Sequence, residues 1–302
     1  MTNLLVLVVN RPRTGAARPQ FARIERRVEV ERWAAEGNLW HPRGEMLEGD
    51  DNKNGGGKML AGKRCLVTGG SRGLGRAIAI AFAREGAKVA FTWSRRDEDA
   101  EEAKSAITEA GGDPLMFKGS VADSAHAKAT VGAVVKAWGG LDVLVNAAGT
   151  MQILPFALIE EQDWDYVMDV NAKGAYLFTR EALRPMIRQK QGQIVCIGAF
   201  SEGRGIAMPP HFAASKAALR GFAEALAKDV GTYNIRVNYL APGLLDVGLA
   251  RRLPEGRAEE YARHCALGRL GTAEEIAAIA AWIVSDENTF ITGARVVADG
   301  GI

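Results

Sequence analysis

From Met59 onward the chain alternates short runs of β-branched and other apolar residues with longer, Ala-rich runs of helical period. The pattern predicts strands near 64–68, 88–93, 114–118, 141–146, 192–198, 234–240 and 294–298. It predicts helices over 73–85, 97–110, 124–138, 161–189, 211–230 and 272–285. Strands that are apolar throughout, each followed by a helix, imply a parallel sheet covered on both faces by right-handed crossovers. The expected fold class is α/β, a doubly wound parallel sheet of seven strands forming one domain over residues 61–302.

Residues 1–60 follow a different pattern. The first 45 carry eight arginines against five glutamates, together with Trp33 and Trp40, and residues 48–58 read as a flexible linker. This extension is expected to be a docking arm, an extra packed element, or a segment ahead of a natural start at Met59. Its opening Leu-Leu-Val-Leu-Val-Val is too short for a membrane span and lacks the basic residue that precedes a signal peptide core. A cytoplasmic protein is expected. Apolar and charged fractions of 47% and 25% are ordinary for a globular chain. A net charge of +2 argues against nucleic acid or an anionic membrane as the main partner. Cys65 and Cys196 fall inside predicted strands, so the three cysteines read as reduced core or surface residues, with no metal site or disulfide expected.

The first chemistry-bearing motif runs from the end of the first strand: Thr68, Gly69, Gly70, Ser71, Arg72, Gly73, Leu74, Gly75. A strand passing through such a turn into a helix lets the backbone approach a pyrophosphate, whose charge meets free amide donors at the helix N-terminus. The fold is therefore expected to be of the Rossmann type. At the end of the second strand, where an acid would grip a ribose 2′-hydroxyl, stand Trp93, Ser94, Arg95 and Arg96. With Arg72 from the turn, these residues suit a 2′-phosphate, so NADP(H) is expected over NAD(H). A solvated basic turn is the other reading, most of all for Arg96.

On these residues the body resembles the short-chain dehydrogenase/reductase family, in particular its 3-oxoacyl-carrier-protein reductase branch. The resemblance spans residues 61–302. The turn is similar to the family's TGxxxGxG, and Asn146-Ala147-Ala148-Gly149 to its NNAG strand end. Asn171 matches the active-site asparagine and Lys216 the lysine of YxxxK. Pro242-Gly243 matches the turn after the sixth strand, and Asp299-Gly300-Gly301 the C-terminal DGG. The resemblance implies hydride transfer from the nicotinamide C4, with a tyrosine giving a proton to the carbonyl oxygen and a serine hydrogen-bonding it. It implies a lysine on the ribose hydroxyls and an asparagine anchoring a water. It also implies that Ser120, Val121 and Gly149 border the cofactor.

The departures from that pattern fall together. Phe212 stands at the tyrosine position, four residues before Lys216, and Ala199 at the serine position. Val247 replaces a threonine that would face the carboxamide, and Ser120 an aspartate that would meet the adenine. A benzyl ring has no proton to give. Ordinary carbonyl reduction is expected to be weak or absent, while the dinucleotide cradle is kept. His211 is one helical step, about 100°, off the lysine's line and reads as a first-turn or surface residue. Ser201 reads as a loop hydroxyl and Tyr176 as core packing.

Beyond Pro242-Gly243 lie Leu244, Leu245 and Leu249, then Arg251, Arg252, Arg257 and Arg263, which the resemblance makes a mobile lid. An apolar acyl group, on a small molecule or a carrier protein, is one expectation; an amphipathic helix with a solvated basic face is the other. Arg180, Arg184 and Arg188 carry the same ambiguity. The resemblance implies a homo-tetramer or dimer, or a hetero-oligomer with an active relative. Three functions stay open: an oxidoreductase with altered chemistry, a non-catalytic subunit, and a scaffold repurposed for isomerisation or cyclisation.

Overall fold

The computed structural model describes residues 58–200, 208–248, 253 and 256–302. The readings of residues 1–57, Ser201, Leu249, Arg251 and Arg252 lie outside them. The described residues belong to one compact unit, Gly56–Ile302.

Seven strands form one parallel sheet in the order β3-β2-β1-β4-β5-β6-β7. They are β1 (Arg64–Thr68), β2 (Lys88–Trp93), β3 (Leu115–Lys118), β4 (Val143–Asn146), β5 (Gly192–Ile197), β6 (Ile235–Pro242) and β7 (Arg295–Ala298). Because side chains alternate across a strand, each strand feeds two cores. Cys65, Val67, Val89, Phe91, Val143 and Val145 point to the layer built from α1 (Gly73–Arg84), α2 (Asp97–Glu109) and α8 (Ala273–Val284). Leu66, Ala90, Leu144, Ile194, Val237 and Tyr239 point to the layer of α3 (Ser124–Trp138), α5 (Gly174–Gln189) and α6 (Pro210–Val230). This double burial explains the unbroken apolar strands. Leu60, ahead of β1, is fully buried in the first core and its amide donates to the Glu85 carbonyl at 3.0 Å.

The predicted helix over 161–189 is a composite: α4 (Glu161–Met168), a π-turn over Asp169–Lys173, then α5. The cause lies in Asn171, whose side chain bonds both backbone groups of Thr150 and so draws one residue inward. Such single π-turns recur at functional sites. A further short helix, α7 (Arg257–His264), precedes α8. No helix among the described residues is long and apolar enough to cross a membrane.

Candidate functional site

The strand order reverses between β1 and β4, and there the C-terminal strand ends part to open a cleft of about 1120 Å³. Its walls include Gly69, Ser71, Arg72, Gly73, Leu74 and Gly75 from the turn, and Ser94 and Arg95 after β2. Ser120 and Val121 after β3, Ala147 and Gly149 after β4, and Pro242 and Gly243 at the end of β6 complete them. Ala199, Phe212 and Lys216 line the same cleft.

Thr68, Asn146 and Asn171 stand behind these walls and brace them. The Thr68 hydroxyl accepts from the amides of Ala147 and Ala148 at 3.1 and 3.2 Å, tying β1 to the chain leaving β4. The Asn146 amide donates to the Thr179 hydroxyl at 3.0 Å, inside the second core. Asn171 is buried. Its Oδ1 accepts from the Thr150 amide at 2.7 Å, and its Nδ2 donates to the Thr150 carbonyl and to Ser215 Oγ, each at 2.9 Å.

The turn fits a pyrophosphate. Gly69 has φ +69°, and a Cβ there would lie 2.8 Å from the backbone of Ala148. A Cβ on Gly75 would collide with the Gly69 carbonyl. Helix α1 therefore starts hard against the turn, and no side chain caps its first amides. Free amide donors at an uncapped helix start are what an anionic ligand needs.

Around the far end of the cleft, most cations already have carboxylate partners. Arg96 pairs with the buried Asp99 at 2.9 Å, and Arg72 reaches the same carboxylate at 4.0 Å. Lys118 bonds Asp97 at 2.6 Å, and the Trp93 indole donates to that carboxylate at 2.8 Å. Lys118 first, and Trp93 second, hold the Asp97 carboxyl below the usual range. Arg95 instead donates to the Tyr166 hydroxyl at 2.8 Å.

The part of the cleft lined by Ala199 and Phe212 is apolar. Phe212 and Ala199 pack with Met151 and Val167, with Met208 and Leu253 against them. None of these six side chains carries a hydroxyl. Lys216 is buried beside them. Its Nζ donates to the Ile197 carbonyl at 2.8 Å and lies 5.8 Å from the Phe212 ring centroid. Gly149 faces it closely: a Cβ there would be 3.6 Å from Lys216 Nζ and 3.5 Å from Asn171 Oδ1.

Several placements escaped the sequence. Tyr239 on β6 sends its hydroxyl to the Lys216 carbonyl at 3.2 Å and accepts there from the Ala199 amide at 3.2 Å, pinning β5's end to α6. Only a glycine at 198 leaves room for that ring. His211 lies in the first turn of α6 but is wholly buried, not on the surface, and neither ring nitrogen has a partner among the described residues. Burial holds its imidazole below the usual range, with Asp163 opposing. Tyr176 is 44% exposed rather than in the core, with the Arg180 guanidinium 5.9 Å over its ring. Arg180 and Arg184 both pair with the buried Glu181, at 2.9 and 3.2 Å.

A nicotinamide dinucleotide, when bound, supplies a hydride. The described residues offer it a glycine turn with free amides, a buried ammonium and an apolar floor without a hydroxyl. A carbonyl oxygen seated on that floor would lose water and gain no O–H from these six side chains, a deficit of about 1–3 kcal/mol.

A family model described as enoyl-(acyl carrier protein) reductase matches residues 69–302. The 3-oxoacyl-[acyl-carrier-protein] reductase of Chlamydia muridarum is 36% identical over 245 residues, 81% of this chain and 98% of that relative. Its counterpart from Thermotoga maritima is 36% identical over 248 residues, 80% of this chain and 98% of that relative. Among solved structures, a mutant short-chain dehydrogenase/reductase of Serratia marcescens aligns with a TM-score of 0.74 and 36% identity, covering 80% of this chain and 98% of that one. A dehydrogenase/reductase from Sinorhizobium meliloti 1021 gives 0.76 and 36%, covering 81% and 96%. The likeness extends from the glycine turn to the last strand and takes in nearly the whole of each relative, and the chain belongs to the short-chain dehydrogenase/reductase family.

Proposed function

We propose that this chain is an NADP(H)-binding member of the family, related to reductases of 3-oxoacyl thioesters, in which ordinary carbonyl reduction is weak or absent. One observation supports the reading: beside the buried Lys216, Phe212 and Ala199, at the positions that the resemblance gives to hydroxyls, pack as an apolar cluster. Removing a positioned proton donor costs about two to four decades in rate, and an oxyanion partner a similar amount. Arg72, Ser94 and Arg95 on the cleft wall favour a 2′-phosphate over a bare ribose. The substrate class is an apolar acyl group, free or on a carrier, taken between Met151, Leu244 and Leu253. The protein works in the cytoplasm.

A partnered state is favoured by the sheet edge. Among the described residues β7 ends the sheet, Val297 on it is 36% exposed, and Phe290, in the chain leading to it, is 96% exposed. Bare edges of this kind call for cover, by another copy or by an active relative. Titrating the full chain with NADPH and following nucleotide fluorescence tests the central reading. Saturable binding, with no consumption of NADPH when a 3-oxoacyl thioester is added, is expected. Absence of binding leaves only a partner subunit, and rapid NADPH consumption contradicts the disarmed site.

A further inference from the structure

We propose that Tyr166 is a specificity-determining residue, acting with Arg95 as one anion-binding unit at the adenosine end of the cleft. This rests on the reading of the cleft as a dinucleotide site. Arg95 follows β2 and Tyr166 belongs to α4, so the pair joins two walls contributed by segments 71 residues apart. Both side chains line the cleft.

Charge singles out this pair. Arg72 and Arg96 share Asp99, Lys118 is matched by Asp97, and Arg76 by Glu102 at 2.9 Å. Arg95 has no carboxylate partner among the described residues. Its neighbour is a neutral phenol, reached at 2.8 Å through one nitrogen, with the guanidinium carbon 5.8 Å from the ring centroid. A guanidinium has five N–H donors, so most of them stay available. The phenol accepts that bond, and its own proton has no acceptor among the described residues. The two side chains thus present N–H and O–H donors with an unneutralised positive charge.

A ribose 2′-phosphate brings close to two negative charges and three acceptor oxygens, whereas the 2′-hydroxyl of NAD(H) brings neither. The bond to Tyr166, together with the ring beneath, also holds a long, half-free side chain in one rotamer. That lowers the ordering cost when phosphate arrives. Tyr166 therefore raises affinity for NADP(H) and leaves NAD(H) nearly untouched.

The test is equilibrium binding of NADPH and NADH to the full chain, comparing wild type, Tyr166→Phe, Tyr166→Ala and Arg95→Ala, with folding checked by circular dichroism. Tyr166→Phe keeps the ring and loses the hydroxyl; NADPH should weaken about threefold to tenfold while NADH stays within about twofold. Tyr166→Ala should weaken NADPH further, and adding it to Arg95→Ala should cost less than the sum of the two single changes. NADPH affinity that is unchanged or tighter in Tyr166→Phe overturns the inference, as does equal weakening of both nucleotides, the mark of a merely structural residue. If wild type binds neither nucleotide, the dinucleotide reading itself fails, and this inference with it.

Discussion

The ammonium of Lys216 lies 5.8 Å from the centre of the Phe212 ring, one helical turn away on α6, and is anchored by the Ile197 carbonyl at 2.8 Å. A buried cation with a carbonyl in front and an aromatic face beside it is well held without a phenol. The lysine is thus held in place by groups that are present, and Phe212 beside it packs in an apolar cluster.

Replacing that cation separates binding from stability. Lys216→Met keeps the length of the side chain and removes a charge that is costly to bury. NADPH affinity should fall about tenfold to a hundredfold, as for the loss of charge-assisted hydrogen bonds. The melting temperature should hold or rise. Calorimetric titration beside a thermal melt checks both, and a collapse in melting temperature with affinity intact contradicts the assignment.

The turn depends on glycine at one position above all. Gly69→Ala places a methyl group in left-handed backbone and against Ala148. Destabilisation of about 1–3 kcal/mol is expected from urea unfolding, with loss of NADPH binding. A variant as stable as wild type that still binds shows the turn to be looser than its geometry implies.

His211 gives a pH dependence whose sign follows from its surroundings. Its native pKa is lowered by burial, so the unfolded chain binds a proton that the native chain does not. Well above about pH 6.5 both states are neutral and the group adds no pH dependence; as pH falls through that value, stability is lost. The half-buried His126, also shifted down by burial, adds to the slope. Urea midpoints measured from pH 7.5 to 5.5 should fall, and His211→Phe should flatten part of the decline. A midpoint that rises toward pH 5.5 contradicts the buried imidazole.

Much of this was legible in the sequence because the strands are buried on both faces and so stand out as apolar runs. β1 and β2 begin and end where the pattern places them; β3, β4, β5 and β7 differ by one or two residues at one end, and β6 at both. The π-turn was not legible: helical period continues through Asn171, and the break comes from a tertiary bond to Thr150. Nor was the burial of His211, since a histidine at a helix start looks the same whether it faces water or α4. Arg180 and Arg184 stayed ambiguous between a substrate-side contact and a solvated face, because the neighbour that claims both, Glu181, gives no sign in the sequence that it is buried. Tyr166 and Arg95 meet only through the fold, 71 residues apart.

Restoring the two missing hydroxyls tests the central claim most directly. Ala199→Ser and Phe212→Tyr, alone and together, should be assayed for NADPH oxidation with a 3-oxoacyl thioester. Wild type should be close to background, and the double variant should gain at least about a hundredfold, because donor and oxyanion partner return beside a lysine already in place. Brisk ketone reduction by the unaltered chain, or no gain from the double variant despite intact NADPH binding, would contradict a preserved cofactor cradle with its proton donors removed.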